Sequence, residues 1–272
     1  MTAFLVNGSP AQSVDLADRG FLYGDGVFRT IRVLAGRPLN WVRHARLLAR
    51  DCSCVQIDCP DENALLDDIR RVAPGDRVVK VIVTRGASGR GYAYAENLQP
   101  NRIVVAYPAV PAAPEAARNG VRVCRCDLTL ATQPRLAGVK SLNRLENVLA
   151  RAEWRDPSIR EGLLADADGR LVEGTMSNVF LVMAGRLATP ALTRCGVAGA
   201  QRERVLDLAK AAGIDCEVRD LGFDALEAAE EVFLTNSLIG LWPVVAFRER
   251  RWAPGPVTRS LQQLVEQEDA RG

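Results

Sequence analysis

Gly138-Val139-Lys140-Ser141-Leu142-Asn143-Arg144-Leu145-Glu146-Asn147-Val148-Leu149 sets a single lysine just ahead of a helix signal. Asn143 followed three residues later by Glu146 is a capping-box pattern, in which each side chain satisfies a backbone N–H of a helix start. Leu142, Leu145, Val148, Leu149 and Ala152 recur at helical spacing, which predicts a helix anchored near residue 143 with one face on a core. Lys140 lies before that helix, so its ammonium projects from a strand end or turn. A lysine in such a place is by default a solvated surface residue. The rest of the chain has to supply a reason to read it otherwise.

Length and composition bound the answer. A chain of 272 residues makes one large domain or two modest ones, and 48% hydrophobic with 25% charged residues is ordinary for a globular protein. Lys+Arg 35 against Asp+Glu 33 leaves a formal +2, so there is no bulk electrostatic case for nucleic acid or an anionic membrane. Any anionic ligand must be met by a local site. The apolar start Met1–Val6 reaches Asn7-Gly8-Ser9-Pro10 before it attains the length of a signal segment, and no later run approaches a membrane span, so a cytoplasmic protein is expected. Cys52, Cys54, Cys59, Cys124, Cys126, Cys195 and Cys216 are scattered, with C-x-C rather than C-x-x-C spacing, and the one histidine is His44. Reduced structural thiols and no metal are the expectation.

In chain order, Asn7-Gly8 predicts a type I′ hairpin between residues 3–6 and 11–14. Val27, Arg29, Ile31 and Val33 alternate with their neighbours as in a half-buried strand. Leu39–Arg50 reads as a helix carrying His44 and Arg46, with Arg46 on its inner edge. Val78–Thr84 is an apolar strand running into the glycine-rich loop Arg85–Tyr92, and Ile103–Tyr107 is another strand. Pro108, Pro111 and Pro114 then mark a linker over 108–117 between a smaller α+β domain, 1–107, and a larger α/β domain, 118–272. Beyond it come strands at 121–126, 162–165, 179–182 and 231–235. A helix opening at Gly199 carries Val205, Leu208, Ala209 and Ala212 on one face and stops at Gly213. The fold class is α/β, with an α+β N-terminal lobe and a larger mixed α/β C-terminal lobe.

Several constellations carry chemistry. The helix start at Gly199-Ala200-Gln201 offers backbone N–H groups and the positive end of a helix dipole, which suits a phosphate dianion. Arg46 adds countercharge and the Ser237 hydroxyl a further hydrogen bond. Glu173, between a strand and the Gly-Thr-Met-Ser-Asn loop, is placed to meet a ring nitrogen. With one histidine, itself best read as structural, Ser-His-Asp and Cys-His nucleophile systems are disfavoured. Lysine chemistry remains.

Together, Lys140 with Ser-Leu-Asn-Arg-Leu-Glu-Asn-Val-Leu-Ala, Glu173-Gly-Thr-Met-Ser-Asn-Val-Phe and the later Glu-Val-Phe-Leu-Thr-Asn-Ser237 resemble the fold type IV pyridoxal-phosphate enzymes, the D-amino-acid and branched-chain aminotransferase-like group. Phe21-Leu-Tyr-Gly-Asp-Gly-Val-Phe28, Arg85-Gly-Ala-Ser-Gly-Arg-Gly-Tyr92 and Asn-Arg-Leu-Glu146 are similar to the family's lyase branch; Leu145 stands where branched-chain aminotransferases carry a tyrosine. The resemblance implies that pyridoxal 5′-phosphate is the cofactor and that Lys140 is the catalytic residue, bonded to the cofactor and shuttling the proton. It further implies that Glu173 pairs with the ring nitrogen while Arg46, the N–H groups of Ala200 and Gln201, and Ser237 hold the phosphate. The implied substrate is the small molecule 4-amino-4-deoxychorismate, converted to 4-aminobenzoate and pyruvate on the folate route, with aminotransfer as the alternative. Its two carboxylates make Arg29, Arg90 and Arg144 candidate partners. The family also implies a homodimer in which the Arg85–Tyr92 loop serves the partner's pocket.

Overall fold

In the computed structural model, which describes residues 3–109 and 113–271, the chain divides into two units: Met1–Pro111 with Val139–Asn143, and Ala112–Gly138 with Arg144–Gly272. The first unit contains β1 (Ala3–Val6), β2 (Ser9–Pro10), α1 (Arg19–Tyr23), β3 (Gly26–Leu34), β4 (Arg37–Pro38), α2 (Trp41–Cys54), α3 (Glu62–Val72), β5 (Arg77–Thr84) and β6 (Asn101–Pro108). Its strands form one antiparallel sheet in the order β2-β1-β6-β5-β3-β4.

Period-two alternation builds this sheet's inner face. Val27, Ile31 and Val33 of β3 and Val79, Val81 and Val83 of β5 are buried, and α2 and α3 supply Leu48, Cys52, Leu65 and Ile69 to the same core. In α2 the buried positions His44, Ala45, Leu47, Leu48, Asp51 and Cys52 fall on one face, the three-to-four spacing of an amphipathic helix. Asp61 caps α3 by accepting from the Ala64 N–H at 2.9 Å. Asn7 and Gly8 both take positive φ, 51° and 81°, as a type I′ turn requires. The returning strand is Ser9–Pro10 rather than 11–14, since proline donates no further ladder bond.

The second unit contains α4 (Pro114–Asn119), β7 (Val121–Leu130), α5 (Leu145–Arg151), β8 (Ile159–Asp166), β9 (Leu171–Gly174), β10 (Asn178–Met183), β11 (Arg186–Pro190), α6 (Ala200–Ala211), β12 (Cys216–Arg219), α7 (Phe223–Ala228), β13 (Glu231–Asn236), β14 (Gly240–Phe247), β15 (Arg250–Arg251) and α8 (Pro256–Arg271). The sheet order is β12-β11-β10-β13-β14-β7-β8-β9, with β15 on β14. The β11/β12, β14/β7 and β7/β8 pairs are parallel and the others antiparallel. Phe180 and Phe233 are register partners on β10 and β13, stacked 5.0 Å apart and packed with Val205 of α6 and Leu261 of α8. Truncating either ring to alanine would cost about 3–5 kcal/mol.

The structure bears on two sequence expectations here. Part of the 108–117 linker, residues 110–112, lies outside the described residues, and Pro114 opens helix α4, where proline at the first turn costs no hydrogen bond. The capping box does not form. Helix α5 starts at Leu145 without a side-chain cap, Asn143 donates to the Gly24 carbonyl at 3.2 Å, and Glu146 accepts from the Ala131 N–H at 2.8 Å. It packs inward through Ala150, while Leu145, Val148 and Leu149 are 69%, 62% and 53% exposed. Among the described residues no helix is long and apolar enough to cross a membrane.

Candidate active site

The chain holds three lysines, Lys80, Lys140 and Lys210. Lys140 is half-buried, and residues 140–142 run beside the start of β3 as a short antiparallel addition: the Phe28 N–H donates to the Lys140 carbonyl at 2.9 Å, the Leu142 N–H donates to Gly26 at 2.9 Å, and Ser141 bridges Val27. The Lys140 N–H donates to Oδ2 of Asp51 at 3.0 Å. Nζ of Lys140 stands over the Phe28 ring, 4.7 Å from its centre. His44 is buried nearby; burial, with the charges of Arg29 and Lys140, pushes its imidazole down to about 3. It is neutral at any working pH and structural, as expected from sequence.

The arginines expected here separate. Arg29 is 2% exposed and ion-paired with Asp51, and it donates to the Leu47 carbonyl at 3.2 Å. It follows the Val27–Ile31–Val33 alternation onto the core face, so its guanidinium is sequestered rather than presented to a substrate. Arg46 is a single exposed position of α2, not on its inner edge, set between the buried pairs His44–Ala45 and Leu47–Leu48. Arg90 is exposed on its loop. Arg85 is buried, paired with Asp25 at 2.8 Å, and donates to the Val55 and Gln56 carbonyls at 2.7 and 2.6 Å.

In the second unit Glu173 sits in β9, a strand buried at every position. Its Oε2 accepts from the Val197 N–H at 2.8 Å. Val197 belongs to the turn leading into α6, and Gly138, two residues before Lys140, pairs alongside it, with Ala198 N–H donating to the Gly138 carbonyl at 3.0 Å. Gly196 turns at φ 84°, and a Cβ there would come within 2.7 Å of Val172. Asn178 clamps the same turn, donating to the Val197 carbonyl at 2.8 Å and accepting from the Gly199 N–H at 3.1 Å. A Cβ on Gly199 would strike that Asn178 oxygen at 2.5 Å. Helix α6 therefore opens with Ala200 and Gln201 buried and no side chain capping it at Gly199.

Three residues escaped the sequence reading. Asp51 belongs to no motif, and Asn178 stands in the Glu173 stretch without an assigned role; only their placement shows what they hold. Glu161, 1% exposed on β8, accepts from the Thr175 N–H and hydroxyl at 3.1 and 2.5 Å and from the Ser177 hydroxyl at 2.7 Å. It fixes the loop after Glu173. Arg144 is half-buried and bonds Asn147 at 3.4 Å, while Ser237 is half-buried in the turn after β13. Asn236 anchors that turn through the N–H groups of Leu238 and Ile239, at 2.8 and 2.9 Å.

Pyridoxal phosphate can be tested against this donor set. The second unit offers a buried carboxylate and a twelve-residue helix whose buried first turn lacks a side-chain cap, and the Nε2 of Gln201 there is buried without a hydrogen-bond partner. A buried polar atom of that kind calls for a ligand. A phosphorylated, basic ring supplies what these groups need, so the residues fit.

The sequence model for "Amino-transferase class IV" matches residues 26–247. The chain belongs to this family. Among relatives of this chain, an aminodeoxychorismate lyase of Vibrio harveyi is 34% identical, covering 95% of this chain and 98% of its own. A D-alanine aminotransferase of Bacillus licheniformis is 29% identical over 93% and 91%. The solved 4-amino-4-deoxychorismate lyase of Pseudomonas aeruginosa superposes on the class IV chain with a TM-score of 0.94 at 44% identity, covering 97% of this chain and 98% of its own.

Proposed function

We infer that this chain is a pyridoxal-phosphate-dependent lyase that converts 4-amino-4-deoxychorismate to 4-aminobenzoate and pyruvate. The observation that carries the reading is its likeness over nearly the whole length to the Pseudomonas aeruginosa lyase, the higher of the identities to lyases and aminotransferases above. Lys140 holds the cofactor and Glu173 meets its ring nitrogen. The N–H groups of Ala200 and Gln201, with Arg46 and Ser237, take its phosphate. When bound, the cofactor supplies an electron sink.

The residues of the chain do the rest. Nζ of Lys140 takes the proton from the amine-bearing ring carbon of the substrate; the ring C–O bond then breaks, the enolpyruvyl group takes up a proton and departs as pyruvate, and the aromatic ring left behind drives the reaction forward. Glu173, whose Oε2 accepts from the Val197 N–H, would hold a proton on the ring nitrogen. Arg90 and Arg144 remain the candidates for the substrate's carboxylates; Arg29 does not, since Asp51 occupies it. The working form is a cytoplasmic homodimer in which the Arg85–Tyr92 loop serves the partner's pocket. Seven free cysteines accord with a reducing compartment, and exposed Leu145, Val148 and Leu149 of α5 with a covered face.

The test is product analysis. Purified protein given 4-amino-4-deoxychorismate should release 4-aminobenzoate and pyruvate in equal amounts with no 2-oxo acid added as amine acceptor. Amine transfer from D-alanine to 2-oxoglutarate with no 4-aminobenzoate would establish the aminotransferase reading instead.

A further inference from the structure

We propose that Asp51 and Arg29 are a positioning pair for Lys140, fixing its backbone so that the amine keeps its place beside Phe28. The inference rests on Lys140 being the reacting lysine.

Both backbone groups of Lys140 are tied. Its carbonyl accepts from Phe28 at 2.9 Å and its N–H donates to Asp51 Oδ2 at 3.0 Å. Asp51 is wholly buried, and the oxygen that serves Lys140 also receives Nη2 of Arg29, while Oδ1 accepts from Arg50 at 2.9 Å. Consecutive residues of β3 thus reach Lys140 by two routes. Phe28 lies under the amine, and Arg29, pointing to the opposite face, orients the carboxylate that holds the amide.

A pair that served stability alone would not need this geometry. Buried ion pairs can often be exchanged for apolar residues of similar volume without loss of stability. An apolar pair cannot, however, accept the Lys140 N–H. That acceptor separates positioning from packing, because small misplacements of a reacting group lower turnover far more than binding.

The experiment compares the full chain, as purified with its cofactor, in three forms: parent, Arg29→Met/Asp51→Leu and Arg29→Gln/Asp51→Asn. Amide deuterium exchange in the peptide holding residues 139–143, thermal melting, and kcat and KM for 4-aminobenzoate release are read for each. The parent should protect the Lys140 amide. The Met/Leu form should melt close to the parent, exchange that amide about tenfold faster or more, and lose about tenfold or more in kcat with KM little changed. The Gln/Asn form, which restores an acceptor, should recover protection and kcat to within about threefold of the parent. If the Met/Leu form does not fold, Asp51→Glu takes its place, since it keeps the charge but shifts the acceptor; it should lose kcat at unchanged melting. Unprotected exchange in the parent, native kcat without the acceptor, or losses that simply follow melting temperature in both pairs would overturn the proposal. Failure of the parent to release 4-aminobenzoate would instead sink the lyase reading and leave the exchange result standing.

Discussion

Residues 139–143 and helix α5 at Leu145–Arg151 follow each other directly, and both look from sequence like apolar chain beside a core. Only the first is. Val139 is 1% exposed and Lys140 is bonded through both backbone groups, whereas α5 shows Leu145, Val148 and Leu149 to solvent. Helical periodicity establishes which side chains share a face; it says nothing about what covers that face. Under the proposed function the pinned segment carries the chemistry, and the bare stripe is offered as the face for the second copy of the proposed homodimer.

Substitution on the pinned side should have the largest effects. Lys140→Ala should lower turnover by roughly 10³-fold or more, the scale of a lost general base, with the melting temperature little changed. Glu173→Gln should cost about 10- to 100-fold, the scale of a buried charge-assisted hydrogen bond, while the cofactor still binds. Near-native rates in either would erase the distinction drawn between the two regions.

The bare side makes the opposite forecast. Leu145→Glu with Leu149→Glu should leave folding of the 29.6 kDa chain within about 0.5 kcal/mol, as for surface changes, yet shift its mass in light scattering from twice that value to the single chain. A large drop in stability would mean that Leu145 and Leu149 pack on the core together with Ala150. Unchanged doubled mass would place the contact elsewhere.

His44 sharpens the pinned side by a smaller amount. Its native imidazole stays neutral down to about 3, while in the unfolded chain it gains a proton near 6.5. Between those values the unfolded state binds the extra proton, so stability falls as pH drops through that window and is full above it, with a slope of up to about 1.4 kcal/mol per pH unit. His44→Phe should flatten that part of the pH–stability curve measured by denaturant unfolding. An unchanged slope would mean the acid sensitivity lies in the carboxylates.

Much of this was legible in the chain. The strands at 78–84, 103–107 and 231–235 were carried by β-branched runs, and the glycine-flanked start of α6 by its turn chemistry. The misses have physical causes. Asn143 and Glu146 matched a capping box, but tertiary partners, Gly24 and Ala131, outbid the local bonds. Arg29 was read by charge as a substrate contact, although its register with Val27 and Ile31 already placed it inward; a buried arginine demands a buried acid. That acid, Asp51, lies on the inner face of α2 with Leu47 and Leu48, a signal available in the helical spacing. Glu161 and Asn178 had no such signal, since what they hold comes from residues brought close only by the fold.

The central claim, that Lys140 carries the cofactor, has a direct test because the chain offers so few alternatives. Borohydride reduction of the purified protein with its cofactor, followed by digestion and peptide mapping, can place the label on Lys80, Lys140 or Lys210. Lys80 is the instructive competitor, since its ammonium lies 4.5 Å from the same Phe28 ring and burial lowers its proton affinity. Label confined to the peptide holding Lys140 is the predicted result; label on Lys80 or Lys210, or none on a protein that releases 4-aminobenzoate, would contradict the account.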